Sequence, residues 1–216
     1  MLNIANPTTL VTLDFWADLG CPWCYIGSRR LALAVAHEPD GSVATRWRAF
    51  QLRPGVPVDG HPGQSDAHEP LPAEARERID AIGREVGIAF RPEALDRVRD
   101  TGLAHRAVLL YDGQPRQRAV VSALYAAHFE RGLDISRLDT VVAEAAQASG
   151  DQPDRVRQRL VAGECEAELA TDLVEARVVG VTAAPTYVVA GWVAVQGAQE
   201  IEVLRALIAE GRRAAG

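Results

Sequence analysis

The stretch Val11-Thr12-Leu13-Asp14-Phe15-Trp16-Ala17-Asp18-Leu19-Gly20-Cys21-Pro22-Trp23-Cys24-Tyr25-Ile26-Gly27 decides the reading of this chain. Its opening, Val11 to Trp16, is a β-rich run and predicts a strand. Two cysteines then stand two residues apart, and Pro22 between them suits the first turn of a helix. Ile26, Leu31, Ala34 and Val35 carry that helix to about His37, and Glu38-Pro39-Asp40-Gly41 is a turn. Val43 to Phe50 alternates apolar and polar residues as a half-buried strand does. Strand, helix, strand in that order predicts two parallel strands with a right-handed crossover, the cysteines sitting at the strand-to-helix corner.

Further along, Gln51 to Pro72 holds five prolines and three glycines, which marks a functional loop or the boundary of an insertion. From Ala73 to about Gly180 every segment has helical spacing. Ala104, Ala107, Val108 and Tyr111 form one set, and Val120, Val121, Leu124 and His128 the next. Leu138, Val141, Val142 and Ala145 follow, and later Leu169, Leu173 and Val174. Gly113-Gln114-Pro115 and Gly150-Asp151-Gln152-Pro153 are breaks. Pro185 to Val189 and Trp192 to Gln196, turned by Ala190-Gly191, predict a hairpin that completes the sheet. Ile201, Leu204, Leu207 and Ile208 predict a terminal amphipathic helix. The class is therefore α/β, ordered βαβ…ββα, with residues 1–70 and 180–216 as one domain and 71–179 as a large all-helical insertion.

Composition narrows the chemistry. Hydrophobic residues are 48% of the 216, enough for a sizeable core. The net charge is −6 with both signs scattered, which argues against a nucleic-acid surface. All 23 basic residues are Arg, so Schiff-base chemistry, a Ser–Lys dyad and a P-loop lysine are excluded. Met1 to Leu10 has neither a basic n-region nor an apolar h-region, and no apolar run approaches the ~20 residues of a membrane span. A cytoplasmic chain without a membrane partner is expected, and three cysteines in a reducing compartment point to catalysis, redox sensing or metal binding.

At a helix start, unpaired N–H groups and the positive end of the helix dipole favour a thiolate at Cys21, while Cys24 lies one turn deeper. Cys21 would attack and Cys24 would resolve the mixed disulfide. Such a pair is also half of a zinc site. Zinc needs two more ligands, and Cys165, His37, His61, His68, His105 and His128 offer no ligand-like spacing, so no metal is expected.

The segment Asp18 to Gly27 resembles the active-site segment of the DsbA family, closest to its cytosolic FrnE-like branch, near the 2-hydroxychromene-2-carboxylate isomerases and kappa-class glutathione transferases. Phe50-Gln51-Leu52-Arg53-Pro54, Leu103-Ala104-His105-Arg106 and Gly180-Val181-Thr182-Ala183-Ala184-Pro185-Thr186-Tyr187 fit as well, so the resemblance covers nearly the whole chain. It implies a thioredoxin-like fold and a thiol–disulfide oxidoreductase. It implies that Pro185 is the family's cis-proline facing the cysteines, with the backbone of Ala184 turned toward an extended substrate. Trp23 and Tyr25 are assigned to a substrate-docking rim, and His105 joins them through the family pattern on its helix, a surface or capping pair with Arg106 being the other reading. Periplasmic members carry His where this chain has Trp23, so a less oxidising pair is expected.

Leu13-Asp14-Phe15-Trp16-Ala17 is also similar to the strand of thioredoxin whose buried carboxylate takes a proton from the resolving cysteine, with one extra residue before the first cysteine. Asp14 and Asp18 are both candidates for that acceptor. Trp16, Trp47 and Trp192 are expected in the core. Cys165, among Glu164, Glu166 and Glu168, reads as a bystander or a regulatory thiol. The working expectation is an enzyme with no resident cofactor beyond its redox-active disulfide, acting on a thiol- or disulfide-bearing protein or small molecule, with glutathione as an eligible co-substrate. The competing readings are a glutathione-dependent isomerase or transferase, activated by Cys21 or a hydroxyl such as Ser28, and a non-catalytic binding module.

Overall fold

The computed structural model describes residues 10–56, 71–96 and 98–215. Strand β1 (Val11–Ala17) leads through the cysteine corner into α1 (Pro22–Ala36) and β2 (Val43–Ala49). Seven helices follow among the described residues: α2 (Ala73–Glu85), α3 (Pro92–Leu95), α4 (Gly102–Leu109), α5 (Gln117–Phe129), α6 (Leu138–Ser149), α7 (Pro153–Val161) and α8 (Glu166–Val178). The chain then returns as β3 (Thr186–Val189), β4 (Val193–Gln196) and α9 (Ile201–Ala214). Most of the Gln51–Pro72 stretch, the position of the domain boundary expected at residue 70 and nearly all of Met1–Leu10 lie outside the described residues.

The sheet runs β2-β1-β3-β4. The crossover through α1 makes β1 and β2 parallel, with Val11 opposite Val43 and Ala17 opposite Ala49. The late hairpin adds β3 antiparallel to β1 and β4 antiparallel to β3. Because side chains alternate along a strand, Leu13, Phe15 and Ala17 share one face and join the main core with α1 and α9. Gly211 lets α9 come close: a Cβ there would lie 2.8 Å from Val11 Cγ1. Trp16 points to the opposite face, where it packs with Ala176 of α8, Val181 and Val188. On that face the Arg48 guanidinium sits 4.6 Å from the Trp16 ring centroid and forms an ion pair with Asp172 of α8, Nε to Oδ1 2.7 Å.

One expectation about packing is corrected. Trp192 is 74% exposed in the β3–β4 turn rather than in the core. The helical spacing of Leu169, Leu173 and Val174 is that of α8, which meets the sheet through Asp172 and Ala176 and leaves Leu169 and Leu173 half-buried and Val174 exposed.

Aromatic rings tie α5 to α1 and the sheet. Tyr25 of α1 stacks on Tyr125 of α5 at 4.9 Å and on Phe129 at 6.1 Å, with Phe90 edge-on. His128, on the same helix α5, is buried with its Nε2 unpartnered, and burial pushes its pKa down to about 4. The unfolded chain therefore binds a proton near pH 6.5 that the folded chain refuses. Stability should be complete above pH 6.5 and decline by about 3 kcal/mol as the pH falls to 4. Denaturant titrations across that range should show the decline in the native chain and a flatter curve in His128→Phe.

Candidate active site

Strand β1 ends at Ala17 and α1 begins at Pro22, so the turn between them must deliver both cysteines. Cys21 occupies the N-cap with extended backbone (φ −105°, ψ 117°) and Pro22 takes the first helical position, where its missing N–H costs nothing. The Cys21 carbonyl accepts from the amides of Cys24 (3.0 Å) and Tyr25 (3.2 Å), which closes the first turn and fixes the second cysteine one turn inside. Both are free thiols here. Cys24 is fully buried, and the Asp18 amide approaches its sulfur at 3.5 Å. Burial first, then the neighbouring Cys21, push the Cys24 thiol well above its ordinary value, so it keeps its proton at neutral pH. Cys21 is 4% exposed, and its Sγ lies 3.9 Å from the Ala184 carbonyl oxygen.

The Ala184–Pro185 bond is cis. Pro185 is buried against α1: a Cβ at Gly27 would lie 3.1 Å from its ring and would collide with the Tyr187 hydroxyl. Glycine at 27 is thus demanded by the hairpin packed over it. Tyr187, opposite Phe15 in the register and stacked on it at 5.0 Å, closes the Gly180–Tyr187 motif but carries no role in the sequence reading, although strand alternation two residues after Pro185 carries that signal. Ala184 and Trp23 are both half-buried beside Cys21, and the Ala184 amide has no partner among the described residues. Arg78 of α2 lies over the Trp23 ring at 5.9 Å.

Of the two carboxylate candidates, Asp18 is at the pair and Asp14 is not. Asp14 alternates onto the sheet face away from α1 and is clamped by Arg46 through two bonds of 2.6 and 2.7 Å, which corrects its candidacy as proton acceptor. Asp18 is buried, accepting from the amides of Gly20 (3.0 Å) and Leu52 (2.8 Å), while its own carbonyl accepts from the Tyr125 hydroxyl at 3.1 Å. Burial pushes the Asp18 carboxyl upward, but His105 and the two amides outweigh it and hold the group below the ordinary carboxylate range.

His105 and Tyr25 are corrected as substrate contacts. His105 is fully buried, with Nε2 3.5 Å from Asp18 Oδ1, a distance of charge proximity rather than a good hydrogen bond. Neither of its ring nitrogens has a hydrogen-bond partner. It can act on Asp18 but cannot touch a substrate. Tyr25 is likewise fully buried, its hydroxyl bonded to Glu130, and burial followed by Glu130 pushes its pKa up to about 12. Ser28 donates to the Tyr25 carbonyl at 2.8 Å in the second turn of α1, below the cysteine corner. Cys165 sits in left-handed backbone (φ 65°) before α8, its thiol pushed up to about 11 by burial, Glu168 and Glu164. Among the described residues, no three His, Cys, Asp or Glu side chains gather closely enough to hold a metal, and no helix is long and apolar enough to cross a membrane.

A mixed sheet that presents a cysteine pair at the head of its first helix, faced by a cis-proline, defines a thioredoxin-like protein. A family model of the DSBA-like thioredoxin domain matches residues 12–209, and the chain belongs to that family. A structure described as a probable DsbA oxidoreductase from Streptomyces coelicolor is 26% identical, over 93% of this chain and 89% of that one, with a TM-score of 0.76. A 2-hydroxychromene-2-carboxylate isomerase shares the fold at 16% identity and TM-score 0.69, over 94% and 95% of the two chains. So does the cytosolic disulfide reductase DsbM from Pseudomonas aeruginosa with GSH, at 18% identity and TM-score 0.58, over 94% and 96%. No curated protein matches the chain in sequence.

Proposed function

We propose that this DsbA-like protein is a thiol–disulfide oxidoreductase working through Cys21 and Cys24. Cys21, as thiolate, attacks one sulfur of a substrate disulfide, the S–S bond breaks, and the departing sulfur takes up a proton. Cys24 then gives up its proton toward Asp18 and attacks the Cys21 sulfur, releasing the second substrate sulfur. Two electrons pass from the pair to the substrate, and the reverse sequence oxidises a dithiol. The observation that carries this reading is the placement of a proton-holding Cys24 one turn behind Cys21, with the Ala184 carbonyl 3.9 Å from the Cys21 sulfur. Ala184 and Trp23 supply the contacts beside an extended substrate, and Pro185 shapes that edge.

On this reading the protein belongs to the FrnE-like branch and works in the cytoplasm, with residues 71–179 as an insertion into a thioredoxin-like domain. It needs no resident cofactor or metal. Its partners are a thiol- or disulfide-bearing protein or small molecule, and the GSH carried by the DsbM structure supports glutathione as co-substrate. Retention of Cys24 favours dithiol chemistry over the isomerase reading, and Ser28 is engaged within its own helix.

Equilibration with glutathione mixtures tests the proposal. The pair should titrate as one two-electron couple, read by mass after acid quench, while Cys165 stays reduced. A pair that never oxidises across the accessible range of potentials, or that stops at a Cys21–glutathione adduct, overturns it.

A further inference from the structure

A cavity of about 230 Å³ opens along the same face of α1 as the cysteines, starting one turn beyond Cys24. It lies between the second to fourth turns of that helix, residues of β1 and β2, and the start of α5. Its inner wall is apolar, built from Phe15, Leu31, Val35, Trp47 and Val121. The polar groups reaching it are Ser28, Thr45, Gln114, Gln117 and Arg118. None of Cys21, Trp23, Cys24, Ala184 or Pro185 contributes. The cavity thus shares no lining residue with the cysteine site, although Ser28 brings it to within one helical turn of Cys24.

Three features state what would fit. The volume equals that of about eight liquid waters and falls below the ~300 Å³ at which drug-sized pockets begin, which suits a compact body of one or two fused rings. The wall carries two aromatic rings, which favour a flat partner. Arg118 is the one charged residue in the lining, no carboxylate lines the space, and Arg118 has no ion-pair partner among the described residues. Arg118 is exposed, and a guanidinium without an ion-pair partner beside a partly apolar cavity is suited to a carboxylate, which it can take in a two-pronged hydrogen bond.

We propose that this cavity is a binding site for a small amphipathic anion, an aromatic or fused-ring carboxylate whose ring enters between α1 and β2 while its carboxylate meets Arg118. The ring would lie on Trp47 and Phe15. Because Phe15 also stacks on Tyr187, the ligand would rest one ring away from the residue packed over Gly27.

Calorimetric titration of the full chain with 1-naphthoate, and separately with neutral 1-naphthalenemethanol, tests this. Saturable one-to-one binding of naphthoate is expected. Arg118→Gln should weaken naphthoate about tenfold or more while changing the alcohol by less than about threefold, since the guanidinium serves only the anion. Thr45→Trp and Ala32→Trp, both at partly or fully exposed lining positions that tolerate a larger side chain, should obstruct the space and abolish binding of both probes, with unfolding midpoints confirming that the variants are folded. A Cys21→Ser/Cys24→Ser double variant should bind as the parent does. Absence of saturable heat, equal affinity for the two probes, indifference to both tryptophan variants, or loss of binding in the double serine variant would each overturn the proposal.

Discussion

Incubated with insulin, a Cys24→Ser variant will accumulate as a disulfide-linked adduct through Cys21, whereas Cys21→Ser will form no adduct and will lose turnover by a factor of about 10³ or more. The contrast follows from where the two sulfurs lie. Cys21 ends a loop, not a helix turn, and half-buried Trp23 and Ala184 stand beside it, so a substrate sulfur can approach it there. Cys24 is sealed beneath it and is held protonated by burial and by its partner, so it has no access to a substrate until Cys21 brings one in. Serine at 24 keeps a group that can accept from the Asp18 amide but offers no sulfur to break the adduct. Electrophoresis without reductant should show the adduct near stoichiometric yield, and dithiothreitol should dissolve it. Free release of substrate by Cys24→Ser at the native rate would mean that another thiol resolves the intermediate. Cys165 is a poor candidate for that part, since burial and two glutamates hold its proton.

The parts of this architecture set by local pattern were legible in the sequence. Proline between two cysteines after a β-rich run announces a helix start whatever surrounds it, and the alternation of Val43 to Ala49 announces a strand. The late hairpin announced itself through Ala190-Gly191, where both residues adopt left-handed backbone. Long-range packing decides the rest and leaves no local mark. Tyr25 looks like a rim residue beside the cysteines until Tyr125 and Phe129, a hundred residues later, close over it. His105 looks like a surface histidine until α4 turns it inward toward Asp18. The choice between Asp14 and Asp18 could have been narrowed by alternation alone, because Asp14 falls on the face opposite Phe15, but the Leu52 amide that completes the Asp18 site comes from a loop of irregular sequence. Trp192 departs from expectation because size and apolarity argue for burial, whereas its position in a three-residue turn leaves nothing to cover it.

Asp18→Ala should destabilise the protein by about 3–5 kcal/mol, the cost of breaking a buried charged group away from its partners. The amides of Gly20 and Leu52 would lose their acceptor, and with Asp18 only 5% exposed little water can replace it. His105→Phe should cost far less stability, because neither of its ring nitrogens is well bonded to begin with, yet it should change the acid limb of the stability curve. The native Asp18 carboxyl titrates below its unfolded value of 3.8, so its contribution is complete above that value and is lost as the pH falls through the lower, folded one. Without the imidazole, burial is opposed only by the two amides, the folded value rises, and the loss moves to higher pH. His128 declines between pH 6.5 and 4, so the two effects occupy different windows of one denaturant series. Function supplies the second readout: Asp18→Asn, which keeps the shape but cannot take a proton as a carboxylate does, should lengthen the life of the mixed disulfide more than it slows the first attack. Equal slowing of both steps would assign Asp18 to holding the loop alone, since a purely structural fault has no reason to spare the sulfur that reacts first.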